Sequence, residues 1–71
     1  MTEDKEEFTV RLERLRLACD WDINDLSYAA RVPAQTLRLW ENGSRYPSNT
    51  ALLARVADAL DVTIDYLING D

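Results

Sequence analysis

Four side chains able to grip a polar ligand, Gln35, Thr36, Arg38 and Asn42, fall within eight consecutive residues, and Ser44 and Arg45 follow directly. An amide presents a donor and an acceptor side by side, a guanidinium a fork of donors, and a hydroxyl either role. Such a set suits recognition by hydrogen bonding rather than the making of bonds. The chain holds no His and a single Cys, Cys19, so a His general base or a His/Cys zinc site has nothing to draw on. No nucleophile–base pair is legible, and Gly43 and Gly70 are isolated stops rather than a phosphate-cradling loop. Asp58, Asp61 and Asp65 recur at the spacing of a solvated helix face. The expectation is a non-enzyme with no catalytic residue, no metal and no cofactor.

A short helix must carry this set. Over Pro33 to Glu41, Leu37 and Trp40 stand three apart on one face, while Gln35, Thr36, Arg38 and Leu39 occupy the other. Small residues (Ser27, Ala29, Ala30) precede it where two helices must approach closely, and Asn42-Gly43 closes it with the usual left-handed stop. A helix gripped by its rear face, with hydrogen-bonding groups forward, is how a chain offers side chains to a DNA groove.

The net charge of −5 opposes a nucleic-acid partner at first sight, because affinity for DNA comes from neutralising phosphates. Its distribution weakens that objection. Residues 1–7 carry −3 and residues 47–71 carry −3, whereas residues 8–46 hold six Arg against five acids, or +1. The acidity is terminal and the candidate reading face is not. Residues 1–7 are read as an acidic tail and 8–71 as one domain, near the lower size limit for a single core. An acidic start is no secretory signal, and no apolar run nears the ~20 residues of a membrane span. The expected location is the cytoplasm, with no membrane partner.

In chain order, Phe8, Leu12, Leu15 and Ala18/Cys19 predict a first helix over about Lys5 to Cys19, with Cys19 a small buried hydrophobe and Arg11 and Arg14 on a solvated face. Trp21 follows as a core anchor. Asp22, with Asp25 three residues on, predicts the N-cap of a second helix, Ile23 to Ala30. Helix three runs from about Pro33 to Glu41. Asn49 or Ser48 caps a fourth, about Thr50 to Leu60, and Thr63 a fifth, about Ile64 to Ile68, stopped by Asn69-Gly70. Tyr46, in the loop between helices three and four, is expected to cover the core.

The run LSYAARVPAQTLRLWENGSRYPS, followed by LLARVADALDVTIDYL, resembles the Cro/phage-repressor-like (Xre-type) helix-turn-helix family over about residues 8–68. WENG (Trp40 to Gly43) and ADALDV with its following YL are the most specific parts. The resemblance implies an all-α, compact five-helix bundle of the phage-repressor DNA-binding domain type, in which helices 2 and 3 form the helix-turn-helix. It also implies a transcriptional repressor, bound as a homodimer to a near-palindromic operator in double-stranded DNA. By position it places Ala34, Gln35 and Leu39 toward bases and Thr36 and Arg38 on the flanks. Asn42, Ser44 and Arg45 fall on the following phosphate contact. It makes Arg16 and Glu41 a structural pair joining the first helix to the end of the third. Tyr66 and Ile68 are candidates for the dimer seam, or else pack within their own protomer.

Three positions depart from the family pattern. Ile23 stands where a polar residue usually begins helix two, Arg31 replaces the corner Gly, and Pro33 replaces the hydroxyl cap of helix three. An interaction module of antitoxin-like or adaptor type, using the same scaffold to bind a protein partner, would tolerate such changes. The acidic ends suit that alternative.

Overall fold

A computed structural model describes residues 6–70. Five helices follow one another: α1 (Phe8–Ala18), α2 (Ile23–Ala30), α3 (Ala34–Glu41), α4 (Thr50–Ala59) and α5 (Ile64–Asn69). Among the described residues there is no strand, and no helix is long and apolar enough to cross a membrane.

Local capping sets most of the boundaries. Asp22 accepts from the Asp25 amide at 2.8 Å while Asp25 accepts from the Asp22 amide at 3.1 Å, a reciprocal box that starts α2. Asn49 accepts from the Ala51 and Leu52 amides, and Thr63 accepts from the Tyr66 amide. Pro33 takes the N-cap place of α3 with no side-chain bond, so that helix begins at Ala34, one residue later than the pattern predicts. Helix α4 also stops one residue short of Leu60, and α5 runs one residue further, to Asn69.

Asp20, Arg31 and Asp61 adopt positive φ just beyond α1, α2 and α4. In each case the next amide reaches back five residues: Trp21 to the Arg16 carbonyl, Val32 to Ser27 and Val62 to Ala57. These bonds satisfy carbonyls that a helix end would otherwise leave open. Left-handed backbone costs an L-residue about 1–2 kcal/mol, and short Asp bears it more easily than Arg. Arg31 is therefore the most strained of the three.

The core gathers Leu12, Leu26, Val32, Leu37, Val56, Leu60 and Leu67 with Phe8 and Trp40. Burying each Leu stabilises by about 1.5–3 kcal/mol, and the set ties all five helices together. Helix α2 packs on α3 and α4, while α1 packs on α3 and α5. Helix α3 is thus held from behind by α1 and α2.

Three expectations about α1 are corrected. The helix starts at Phe8 and ends at Ala18, while Lys5 lies outside the described residues. Cys19 is exposed, because the chain leaves the helix before Cys19 and no longer carries it inward. Arg11 is not on a solvated face: it is 2% exposed. Its Nη1 donates to the Leu67 carbonyl at 2.9 Å and the Ile68 carbonyl at 3.3 Å, and its Nη2 donates to the Glu6 carbonyl. The buried guanidinium replaces water with the open carbonyls at the end of α5, which makes its burial tolerable. Arg14 is half-exposed but engaged, with a two-pronged bond to Glu6 at 2.8 and 2.9 Å and a donation to the Tyr66 hydroxyl at 2.9 Å. Glu6, counted with the acidic tail, is thereby fastened to the helical body.

Candidate nucleic-acid interface

The corner between α2 and α3 is built from Arg31, Val32 and Pro33. Val32 is buried, and its carbonyl accepts from the Ser27 hydroxyl at 2.6 Å, so the small residue before the corner also locks it. Arg55 of α4 donates to the Arg31 carbonyl at 3.2 Å, bracing the same corner from outside. Pro33 enters with φ −55° and ψ 137°, the extended backbone from which a helix can start.

Helix α3 then turns its two faces as the spacing requires. Leu37 and Trp40 are buried, the latter with its ring edge-on to Phe8 at 6.2 Å between centroids. Gln35 and Arg38 are exposed, and Ala34, Thr36 and Leu39 are half-buried. Gln35 and Leu39 are four residues apart, so one stands above the other on the side away from Leu37 and Trp40. Arg38 lies to one side of that line, beside a shallow groove it shares with Glu13, Ile23, Glu41 and Asn42.

At the end of α3 the backbone is fixed by several bonds. Asn42 accepts from the Ser44 amide through Oδ1 at 2.8 Å, which leaves its amide NH2 to donate outward. Gly43 takes φ +80°, and the Arg45 amide returns to the Leu39 carbonyl at 3.1 Å. Ser44 and Arg45 are both exposed along this return. Tyr46 has its ring 5.5 Å from Phe8 but remains 63% exposed, so it covers the edge of the core only in part.

Arg16 and Glu41 meet across α1 and α3. Arg16 donates to both carboxylate oxygens, at 2.8 and 3.0 Å, and to the Trp21 carbonyl at 2.8 Å. Their side chains are 10% and 12% exposed. The bond to Glu41 raises the Arg16 pKa, against the opposing effect of burial. The pair fixes the exit of α3 relative to α1.

The remaining candidates lie away from this face. Tyr66 is half-buried and accepts from Arg14, while Ile68 packs against the core and its carbonyl accepts from Arg11. Glu13, beside Arg38, is a neighbour of the site that the motif does not point to. A signal for it exists in the spacing, because Glu13 and Arg16 lie three apart on α1 and Arg16 faces the end of α3.

A family model described as a helix-turn-helix domain matches residues 7–67. Among solved structures, the chain is similar to the DNA-binding domain of the P22 C2 repressor (residues 1–76). There the TM-score is 0.82 and the identity 22%, over 97% of this chain and 90% of that one. It is also similar to a chain of the SinR protein/SinI protein complex, with a TM-score of 0.79 and 22% identity over 84% of this chain. The match spans 58% of the length of that second chain. At such identity the likeness is one of fold. Comparison with curated protein sequences finds no significant match. With five helices in this arrangement and the family match over nearly its whole length, the chain belongs to the helix-turn-helix domain family.

Proposed function

We propose that this protein is a sequence-specific DNA-binding transcriptional regulator, a repressor, that inserts α3 into the major groove as a homodimer on a near-palindromic operator. One observation carries the reading. Gln35 and Leu39 stand outward on a helix whose rear face and exit are both fixed, by Leu37 and Trp40 and by the Arg16–Glu41 pair. Side chains that read base edges must be held this way, because groove readout depends on placement within a hydrogen-bond length.

Gln35 is the residue that reads a base, pairing bidentately with adenine N6 and N7 for ~1–3 kcal/mol of discrimination. Ala34 and Thr36 flank it, and Arg38, Asn42, Ser44 and Arg45 engage phosphates on either side. Tyr66 and Ile68 lie on α5, the helix at which two protomers meet, and Ile64, 41% exposed and one turn before Ile68, adds apolar surface beside it. The domain spans residues 8–71, and the protein acts in the cytoplasm. A second reading, a module for a protein partner, draws on the net charge of −5 and on the fold shared with a chain of the SinR–SinI complex.

Selection of bound duplexes from a random pool tests the proposal. A preferred half-site containing adenine, at fixed spacing, is expected, and Gln35→Ala should lose the adenine preference. Equal binding of random and selected duplexes at physiological salt refutes it, and a single stoichiometric protein partner without any DNA shift favours the second reading.

A further inference from the structure

We infer that Glu13 acts as an electrostatic brake on backbone binding: its carboxylate opposes the DNA phosphates that Arg38 and Asn42 draw in, so that occupancy of DNA depends on base contacts. The inference rests on the groove-reading proposal above and goes further, assigning a role to a residue of α1 outside the reading helix. Glu13 lines a shallow groove with Ile23, Arg38, Glu41 and Asn42. Arg38 brings a guanidinium to this edge, and Asn42, whose Oδ1 is taken by the Ser44 amide, brings its NH2. Ile23 offers no polar group. The two carboxylates differ in state. Glu41 receives Arg16 on both oxygens, at 2.8 and 3.0 Å, so its charge is compensated. Glu13 is exposed and enters no ion pair among the described residues, and neither does Arg38. Its charge still reaches the end of α3: Arg16, whose pKa is raised first by the bond to Glu41, is raised further by Glu13. A phosphate entering the groove therefore meets one free guanidinium and one free carboxylate, and the net attraction is small. Non-specific binding comes from phosphate neutralisation, whereas base contacts carry sequence preference. A brake on the first leaves the second to decide where the protein stays.

The test uses the full chain, a duplex selected from a random pool and a scrambled duplex of equal length. Affinities are read by fluorescence anisotropy over a series of salt concentrations. At about 0.1 M salt, charges more than ~10 Å apart are largely screened, so a local effect stands out from net charge. There Glu13→Gln should bind the scrambled duplex about threefold tighter per protomer, the factor expected of one unit charge a few ångströms from a phosphate in water. The plot of log affinity against log salt should steepen by about 0.9 per protomer, as for one more neutralised phosphate. Glu13→Lys should exceed Glu13→Gln in both readings. Asp58→Asn removes the same charge from α4, in a groove beside Tyr66 away from the reading face, and should move neither. Parent affinity and parent salt slope in Glu13→Gln, with the selected duplex still preferred, overturn the inference and leave the groove-reading proposal standing. Equal gains in Glu13→Gln and Asp58→Asn overturn it as well, because net charge alone then accounts for them. A parent that shows no preference for any selected duplex overturns the groove-reading proposal, and this inference with it.

Discussion

Substituting one member of the Arg16–Glu41 pair gives the sharpest test of how α3 is held. In Arg16→Met the Glu41 carboxylate, 12% exposed, loses both of its guanidinium bonds, and the Trp21 carbonyl loses its donor. Removing one partner of a buried pair costs about 3–5 kcal/mol, and the slight exposure of both side chains places this case near the lower end. A native domain has about 0.05–0.15 kcal/mol of stability per residue, so a loss of about 3 kcal/mol consumes a large share of what this chain can hold. Replacing both partners with apolar residues, Arg16→Met with Glu41→Leu, leaves no uncompensated charge and should cost less than either single change. Urea unfolding of the parent, both single variants and the double variant closes the cycle, and a coupling of about 2 kcal/mol or more is expected. Anisotropy with a selected duplex supplies the second readout, in which Glu41→Leu should weaken specific binding beyond its unfolded fraction. Single variants costing under about 1 kcal/mol, or a double variant equal to the sum of the singles, would refute the claim that this pair holds α3.

The remaining predictions concern strain, chain ends and charge. Arg31→Gly relieves a left-handed residue at φ 58° and should stabilise by about 0.5–1 kcal/mol, raising Tm by a few degrees, since the Arg31 carbonyl still receives Arg55; an unchanged or lower Tm counts against strain at this corner. Gly70→Ala places a Cβ 2.7 Å from Arg11 Nη2 at a φ of +83°, and should lower the urea midpoint more than Gly43→Ala, whose Cβ meets only Thr9 at 4.0 Å. The Arg14 hydrogen bond holds the Glu6 carboxyl below its ordinary pKa, so its contribution is present above the unfolded value and is lost as pH falls through the folded one. Melting temperatures of the parent and Glu6→Gln should accordingly differ at neutral pH and converge in acid; a gap of constant size would argue against the bond. Exposed Cys19 should react with a thiol reagent in the native protein without unfolding, and protection until denaturation would contradict its placement.

Much of the frame is legible in the sequence because helix starts are local. Asp22 with Asp25, and Thr63, each bond to amides within three residues, so residue type and spacing suffice to locate them; between Ser48 and Asn49, the structure gives the cap of α4 to Asn49. The same holds for the outward side of α3, where Leu37 and Trp40 inside leave Gln35 outside at any helical pitch. The left-handed turn at Arg31 follows from the resemblance alone, because Arg31 stands where the family has its corner Gly. Arg11 is not legible. Spacing and charge read it as part of a solvated face, since a charge is tolerable inside only with partners to replace water, and those carbonyls belong to residues 67 and 68. Cys19 escapes for a smaller reason, an end to α1 before the residue that the periodicity would have carried inward.

Residue order by itself determined the number of helices, the caps of α2 and α5 and the side of α3 that stays in water, since each depends on neighbours within one or two turns. Only the tertiary structure decided that Arg11 is buried and that Glu6 is fastened to Arg14. Those outcomes depend on which groups from distant parts of the chain replace water around a side chain, and no local spacing carries that information.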